Sequence, residues 1–227
     1  MSVKQYDFPI DHLNPNNSHG KALSQVREGS KVLECGSATG CMTKYMKERM
    51  GCNVTIIEID HDGFIESMQY ADAGYCTDLN TPGWYEDFCG EQFDYVLFVD
   101  VLEHLTNPLG ALQQAVKLLA PGGKIIISIP NICHNDIIIK MYYDCFTYTQ
   151  VGLLDTTHIH FWGVNDIAAF CDSAGLKITH SDVVQVGTGH TEQRIPKDKV
   201  DEDLAKALSK RTFGNVYQFV ITCEKKG

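Results

Sequence analysis

The sequence predicts an α/β fold in which helices cover a parallel sheet. Three observations carry this. Short β-branched runs alternate with helical patterns along the chain. Phe93 to Val99 (Phe-Asp-Tyr-Val-Leu-Phe-Val) is a nearly continuous apolar run, as expected for a strand covered on both faces. A third run, Lys31 to Cys35, leads straight into a glycine turn and a helical pattern. Composition agrees: 227 residues, 44% apolar and 21% charged, suit one domain with a sizeable core rather than a disordered chain.

The elements follow in order. Lys31–Cys35 is the first strand and 40–50 its helix. Residues 53–59 form a second strand ending in acidic side chains, 61–70 a helix and 74–77 a short third strand. After the strand at 93–99, residues 109–119 place Leu112, Val116 and Leu119 at helical spacing. Pro121-Gly122-Gly123 stops that helix and turns the chain into a strand at 124–129, closed by Pro130. Beyond it the pattern loosens. Residues 134–144 read as a helix, 146–161 as a loop rich in aromatic, His and Thr side chains, and 164–174 as a helix. Strand-like segments at 176–186 and 216–223 flank a charged amphipathic helix at 197–210. Residues 131–161 are expected to cover the substrate, because long irregular segments usually carry function. Their aromatic residues, Tyr142, Tyr143, Phe146, Tyr148, Phe161 and Trp162, suit either core beneath a lid or a stacking surface.

Nineteen basic against twenty-nine acidic side chains give a net charge of −10, without a basic cluster, which argues against a nucleic-acid partner. No apolar run approaches the ~18 residues of a membrane span, and Met1–Asp7 lacks the apolar stretch of a signal peptide. Nine scattered cysteines without a C-x-x-C pair read as reduced thiols of a cytoplasmic protein.

The glycine turn, Glu34-Cys35-Gly36-Ser37-Ala38-Thr39-Gly40, permits close approach of a ligand to the backbone. The next strand delivers Glu58, eighteen residues past Gly40, to the same crevice of a doubly wound sheet. A carboxylate there can accept from both hydroxyls of an adenosine ribose; Asp60 better fits a helix cap. A dinucleotide would want G-x-G-x-x-G for its pyrophosphate. The chain has Gly36, Ala38 and Cys41 at those positions, and beyond Ser37 and Thr39 no side chain suited to phosphate. S-adenosylmethionine has no phosphate and carries a cationic sulfonium, so carboxylates, glycine and apolar walls suit it better.

Three ordered stretches make this specific. Val32–Gly40, Phe93–Leu105 followed by Asn107-Pro108, and Leu118–Lys124 with Ile127–Asn131 closely resemble the signatures of class I S-adenosylmethionine-dependent methyltransferases. The resemblance implies a Rossmann-like, seven-stranded, mostly parallel sheet with helices on both faces and the last strand antiparallel. It implies one domain over 1–227, with 1–30 as an N-terminal cap and first helix and 131–161 as the substrate cover. Glu34 and Gly36 would hold the methionine amino group. Gly40 and the turn backbone at Ser37 and Ala38 would flank the methionine moiety. Glu58 would bind the ribose, Ile59 and Leu79 would pack near adenine, Asp78 would accept from its exocyclic amine, and Asp100 would face the methionine end. Ala38 departs from the family, which commonly has glycine there. Tyr148-Thr149 and Gly152–Trp162, with Tyr6-Asp7 and Asn17–His19, resemble a bacterial subgroup linked to glycosyltransferases and surface polysaccharide, implying a small, sugar-linked acceptor. That subgroup commonly has Arg where this chain has His160.

Methyl transfer gains most from orientation and desolvation, but a hydroxyl acceptor benefits from a base. His158, oriented by Asp155, is the favoured base, and His104, just after the fourth strand, the favoured substrate or cofactor contact. Related methyltransferases with an acidic-x-x-Glu-His pattern like Asp100-x-x-Glu103-His104 can bind a divalent cation; the resemblance does not require one, and no metal ligands are assigned. An N-methyltransferase, or a silent cofactor-binding module serving a partner, remain the alternatives. His19 and Tyr6 could close over the cofactor.

Overall fold

The computed structural model describes residues 14–88 and 90–227; the readings placed on Tyr6 and Asp7, and on the rest of 1–13, lie outside them. Seven strands form one sheet: β1 (Lys31–Cys35), β2 (Asn53–Glu58), β3 (Ala73–Cys76), β4 (Phe93–Val99), β5 (Leu119–Pro130), β6 (Leu176–Gln185) and β7 (Val216–Lys225). Their order is β3-β2-β1-β4-β5-β7-β6. The pairs joining β3 through β5 are parallel, and β7 runs antiparallel to both β5 and β6. The mostly parallel seven-stranded sheet with an antiparallel last strand is therefore as expected. The chain order reverses between β1 and β4, and the crevice beyond the carboxyl ends of those strands is where such sheets bind ligands.

Alternation along the strands feeds two cores. Leu33, Val96, Phe98, Ile125 and Ile127 pack beneath α4 (Pro108–Ala115) and α6 (Val164–Ser173). Val32, Val54, Ile56, Leu97 and Ile126 pack beneath α1 (Ser18–Leu23), α2 (Cys41–Glu48) and α3 (His61–Ser67). Period-two side-chain direction thus places helices on both faces.

The helices are shorter than the periodicity suggests, because their ends are set by caps. Asp60 accepts from Gly63 N–H and starts α3, as the sequence indicated. Asn107 caps α4 through Gly110 N–H, with Pro108 in the first turn, where a missing N–H costs nothing. A 3₁₀ turn at Val116–Leu118 ends that helical segment. Pro121-Gly122-Gly123 does not form the expected loop before a strand. β5 already begins at Leu119, which pairs with Phe93, and the register shifts between Phe93 and Tyr95 to absorb the segment. The expected 134–144 helix is α5 (Asn135–Tyr142). The expected 197–210 helix is a 3₁₀ turn at Lys197–Lys199 followed by α7 (Glu202–Leu208), capped by Asp201.

Candidate active site

A cavity of about 840 Å³ opens at the carboxyl ends of β1, β2 and β4, within the size range of small-molecule sites. Six carboxyl side chains line it: Glu34, Glu58, Asp78, Asp100, Glu103 and Asp155. Among the described residues, none that lines the cavity is Lys or Arg.

One half of the cavity is built around the glycine turn. Gly36 has φ 76°, and a Cβ there would meet Val101 Cγ2 at 2.6 Å, so only glycine fits. Ala38 adopts φ 48°, a left-handed conformation that is uncommon for alanine. Glu58 holds it: Ala38 N–H donates to Oε2 at 2.8 Å, and the Ile59 and Asp60 N–H groups donate to Oε1 at 2.8 Å. Glu58 is thus first a clasp on the turn, with its carboxylate on the cavity wall. Glu34 is 4% exposed and accepts from Thr43 Oγ1 at 2.6 Å. Burial, against the pull of Thr43 and with help from the Glu58 charge, pushes its carboxyl up to about 8. Asp78 is held by Asn80, whose N–H and Nδ2 donate to Oδ1 at 2.8 and 2.9 Å. Leu79 is a buried wall. Ile59, 64% exposed, is an unusual apolar rim to the cavity.

Gly40 stands apart. It does not line the cavity; its φ of 85° starts α2, and the place of its Cβ is taken by Ser67 Cα at 2.6 Å. The expectation that Gly40 flanks a ligand is corrected to a packing role between α2 and α3. Ser37 reaches the cavity, but its hydroxyl donates to Ser67 Oγ at 3.0 Å.

The other half is assembled from distant parts of the chain. Asp100, at φ 58°, accepts from Gln218 Nε2 at 2.6 Å and Ser18 Oγ at 3.0 Å, and also contacts Ser128 Oγ. His19 Nε2 lies 3.8 Å from its Oδ2. Asn17, Ser18 and His19 therefore close the cavity from the N-terminal side.

Beyond Asp100 sits a corner made by Glu103, His104 and His158. The His104 and His158 rings are 4.8 Å apart, centroid to centroid, at 72°. Backbone pairing fixes this meeting, since the N–H groups of Ile159 and His160 donate to the Glu103 carbonyl at 2.9 and 3.2 Å. His158 Nδ1 pairs with the Leu153 carbonyl at 3.3 Å. The carboxylate of Asp155 accepts from Thr157 N–H at 2.8 Å and Thr157 Oγ1 at 2.7 Å, and that hydroxyl lies 2.9 Å from His104 Nδ1. The expectation that Asp155 orients His158 is thus corrected: the Leu153 carbonyl orients His158, and Asp155 reaches His104 through Thr157. Burial lowers the pKa of both imidazoles, with His104 adding to the effect at His158. Glu103 is pushed well above the usual carboxylate range by burial and by Asp100.

Of the segment expected to cover the substrate, Val151, Gly152, Asp155, Thr157 and His158 line the cavity. Tyr142, Tyr143, Phe146 and Tyr148 do not: all are exposed, so they are neither core under a lid nor cavity wall. Phe161 packs beside Leu153 and Leu154, and Trp162 is buried. His160 stacks on Trp162. The sequence reading passed over Ser128, Thr157, Tyr217 and Gln218. Ser128 and Gln218 had left a signal, as polar residues interrupting the apolar runs of β5 and β7.

Fold and site together define an α/β protein with a cavity of small-molecule size at the switch point of its sheet. The chain belongs to the methyltransferase domain family, whose model matches residues 17–181. It is 28% identical over 127 residues to the ubiquinone biosynthesis O-methyltransferase of Xanthomonas euvesicatoria, covering 54% of this chain and 52% of that protein. The chain thus spans about half the length of the curated relatives it matches. Its fold resembles the CcbJ methyltransferase of Streptomyces caelestis (TM-score 0.63, 13% identity, 100% of this chain and 96% of that one). It also resembles the 1,6-didemethyltoxoflavin-N1-methyltransferase of Burkholderia thailandensis, solved with S-adenosylhomocysteine (TM-score 0.59, 15% identity, 95% and 78%). Among the described residues no helix is long and apolar enough to cross a membrane.

Proposed function

We propose that this chain is an S-adenosylmethionine-dependent O-methyltransferase acting on a hydroxyl of a small polar acceptor. The observation that carries the reading is the cavity wall: among the described residues it has six carboxyl groups, no lysine or arginine, and apolar Ile59 and Leu79 at one end. Such a wall suits a cationic, phosphate-free cofactor, and its carboxylates, even with Glu34 and Glu103 shifted toward the neutral form by burial, disfavour a pyrophosphate. Glu34 would hold the amino group, Glu58 the ribose hydroxyls and Asp78 the exocyclic amine, between Ile59 and Leu79. When bound, the cofactor supplies an electrophilic methyl group on sulfonium sulfur.

The chain's own residues then orient and desolvate the acceptor. Asp100, held by Ser18, Ser128 and Gln218, separates the cofactor half from the acceptor half. The acceptor's hydroxyl faces the corner of Glu103, His104 and His158; its oxygen's electron pair forms the new C–O bond as the C–S bond of the sulfonium breaks, and the O–H proton passes to solvent through that corner. Asp155 is a positioning residue that acts through Thr157. The choice of oxygen as the acceptor atom is supported by the names of the curated relatives. Those names concern ubiquinone biosynthesis, so the sugar-linked acceptor and surface-polysaccharide pathway draw no support from them and are left out of the proposal.

The test is titration with S-adenosylhomocysteine together with transfer of labelled methyl into a small-molecule extract. Saturable one-to-one binding and label in a base-stable ether fraction are expected. Binding without label in any acceptor would favour a silent cofactor-binding module, and label on nitrogen would move the acceptor atom.

A further inference from the structure

We infer that Glu103, His104 and His158 form a site for a divalent transition-metal cation at the acceptor end of the cavity. One ligand atom from each lies within 4.8 Å of the others, and all three residues line the cavity. Bonds of ~2.0–2.2 Å place neighbouring ligand atoms ~3.0–3.5 Å apart, so the three side chains would draw together by about an ångström around the ion.

Glu103 is the second, independent observation. It is 1% exposed, and neither carboxyl oxygen has a hydrogen-bond partner. A buried carboxyl group left without partners is costly, and such groups are rare without a function. His158 Nε2 lies 4.0 Å from its Oε1, too far for a hydrogen bond but placed to share a cation.

The surroundings of the two imidazoles point the same way. His158 donates Nδ1–H to the Leu153 carbonyl, which makes Nε2 its ligating atom. Thr157 gives its hydroxyl proton to Asp155, so it accepts from His104 Nδ1–H. A carbonyl behind one imidazole and a hydroxyl–carboxylate pair behind the other is the outer arrangement that fixes ring orientation in metal sites. The backbone bonds from Ile159 and His160 to the Glu103 carbonyl hold the ligands in one rigid unit.

The ligand set differs from the Asp100-x-x-Glu103-His104 pattern in the sequence. Asp100 already holds Gln218, Ser18 and Ser128, and the third ligand, His158, comes from the far loop. Two imidazoles and one carboxylate favour manganese, iron, cobalt or zinc over magnesium or calcium. Three protein ligands leave positions open to the cavity, which selects acceptors with two adjacent oxygens. The cation's charge lowers the pKa of a hydroxyl presented to it. The O–H proton passes to solvent, and the oxygen's electron pair forms the C–O bond as the C–S bond breaks. Only this last role rests on the proposed function; cation binding does not.

The test uses the full chain stripped by chelation and titrated with Co²⁺, followed by heat and by visible absorption. One Co²⁺ per chain is expected, without the sulfur-to-cobalt band that exposed Cys76 or Cys145 would produce. Glu103→Gln and His158→Gln should each weaken binding at least ~10-fold, while Cys76→Ser and Cys145→Ser leave it unchanged. X-ray absorption of the Zn²⁺-loaded wild type needs no variant, and should show two imidazoles and an oxygen. Absent stoichiometric binding, sulfur in the coordination shell, or folded Glu103→Gln and His158→Gln proteins that bind as wild type would each overturn the inference. S-adenosylhomocysteine affinity read on the same sample reports the proposed function separately, and the Co²⁺ result decides the metal site whichever way that goes.

Discussion

The two halves of the cavity are built in opposite ways. The half around Gly36, Ala38 and Glu58 is closed by backbone N–H groups donating to a carboxylate, all within 34–60 of the chain. The half around Asp100, Glu103, His104 and His158 is closed by side chains from α1, β4, β5, the 150s loop and β7. A site made from a turn and its neighbouring strand can be read along the sequence. A site made where five segments meet can be read only in three dimensions.

The sharpest way to break this comparison is Glu58→Ala. The substitution removes both the turn clasp and the proposed ribose contact, so S-adenosylhomocysteine affinity should fall at least ~100-fold by calorimetry, about 2.7 kcal/mol. Glu58→Gln keeps the shape and should fall in the same direction; an unchanged affinity in both would remove Glu58 from the site. In the acceptor half, Asp155→Asn should lower turnover ~10-fold or more, a cost typical of lost outer-sphere positioning. Cofactor affinity should stay unchanged. Thr157→Val should do the same, since Asp155 acts through that hydroxyl. Equal loss of cofactor affinity would show that the halves are not separable.

A pH prediction concerns Glu34. Its carboxyl is raised from 4.5 to about 8 by burial, so the folded protein holds this proton more tightly than the unfolded chain. Stability of the ligand-free protein should therefore decline as pH rises from 4.5 through 8. If Glu34 meets the cofactor's ammonium group, binding favours the ionised form and releases a proton near pH 7. Calorimetry in two buffers of different ionisation enthalpy reads that proton, and Glu34→Gln should abolish it. The smallest effect is at Ala38. With φ at 48°, Ala38→Gly should relieve strain and raise stability by ~1 kcal/mol, measured by denaturant unfolding with unchanged cofactor affinity.

The fold was legible where periodicity and burial are local. The apolar run at 93–99, the glycine turn and the acidic end of β2 each announce a strand or turn without reference to the rest of the chain. Helix lengths were not, because caps such as Asp60 and Asn107 and the 3₁₀ turn at Val116–Leu118 end helices inside longer periodic patterns. Pro121-Gly122-Gly123 misled because a register shift beside Phe93 lets a turn-forming triplet enter a strand. Glu34, Glu58, Asp78 and Asp100, singled out by their place at strand ends, all line the cavity. Gly40 was misassigned because close approach to Ser67 and close approach to a ligand both demand glycine. The partners of His104 and His158 were out of reach: nothing in the order Asp155-Thr156-Thr157-His158 says that the carboxylate turns away toward a ring fifty residues earlier. Glu103 gave no hint of being buried without a partner, since burial of a loop carboxyl is a property of packing alone.

The most direct measurement is a calorimetric titration of the wild-type chain with S-adenosylhomocysteine, run beside an identical titration with NADH. A wall that, among the described residues, has six carboxyl groups and no lysine or arginine predicts saturable one-to-one binding of S-adenosylhomocysteine and no heat of binding from the pyrophosphate cofactor. Saturable NADH binding, or silence toward S-adenosylhomocysteine in a folded sample, would contradict it.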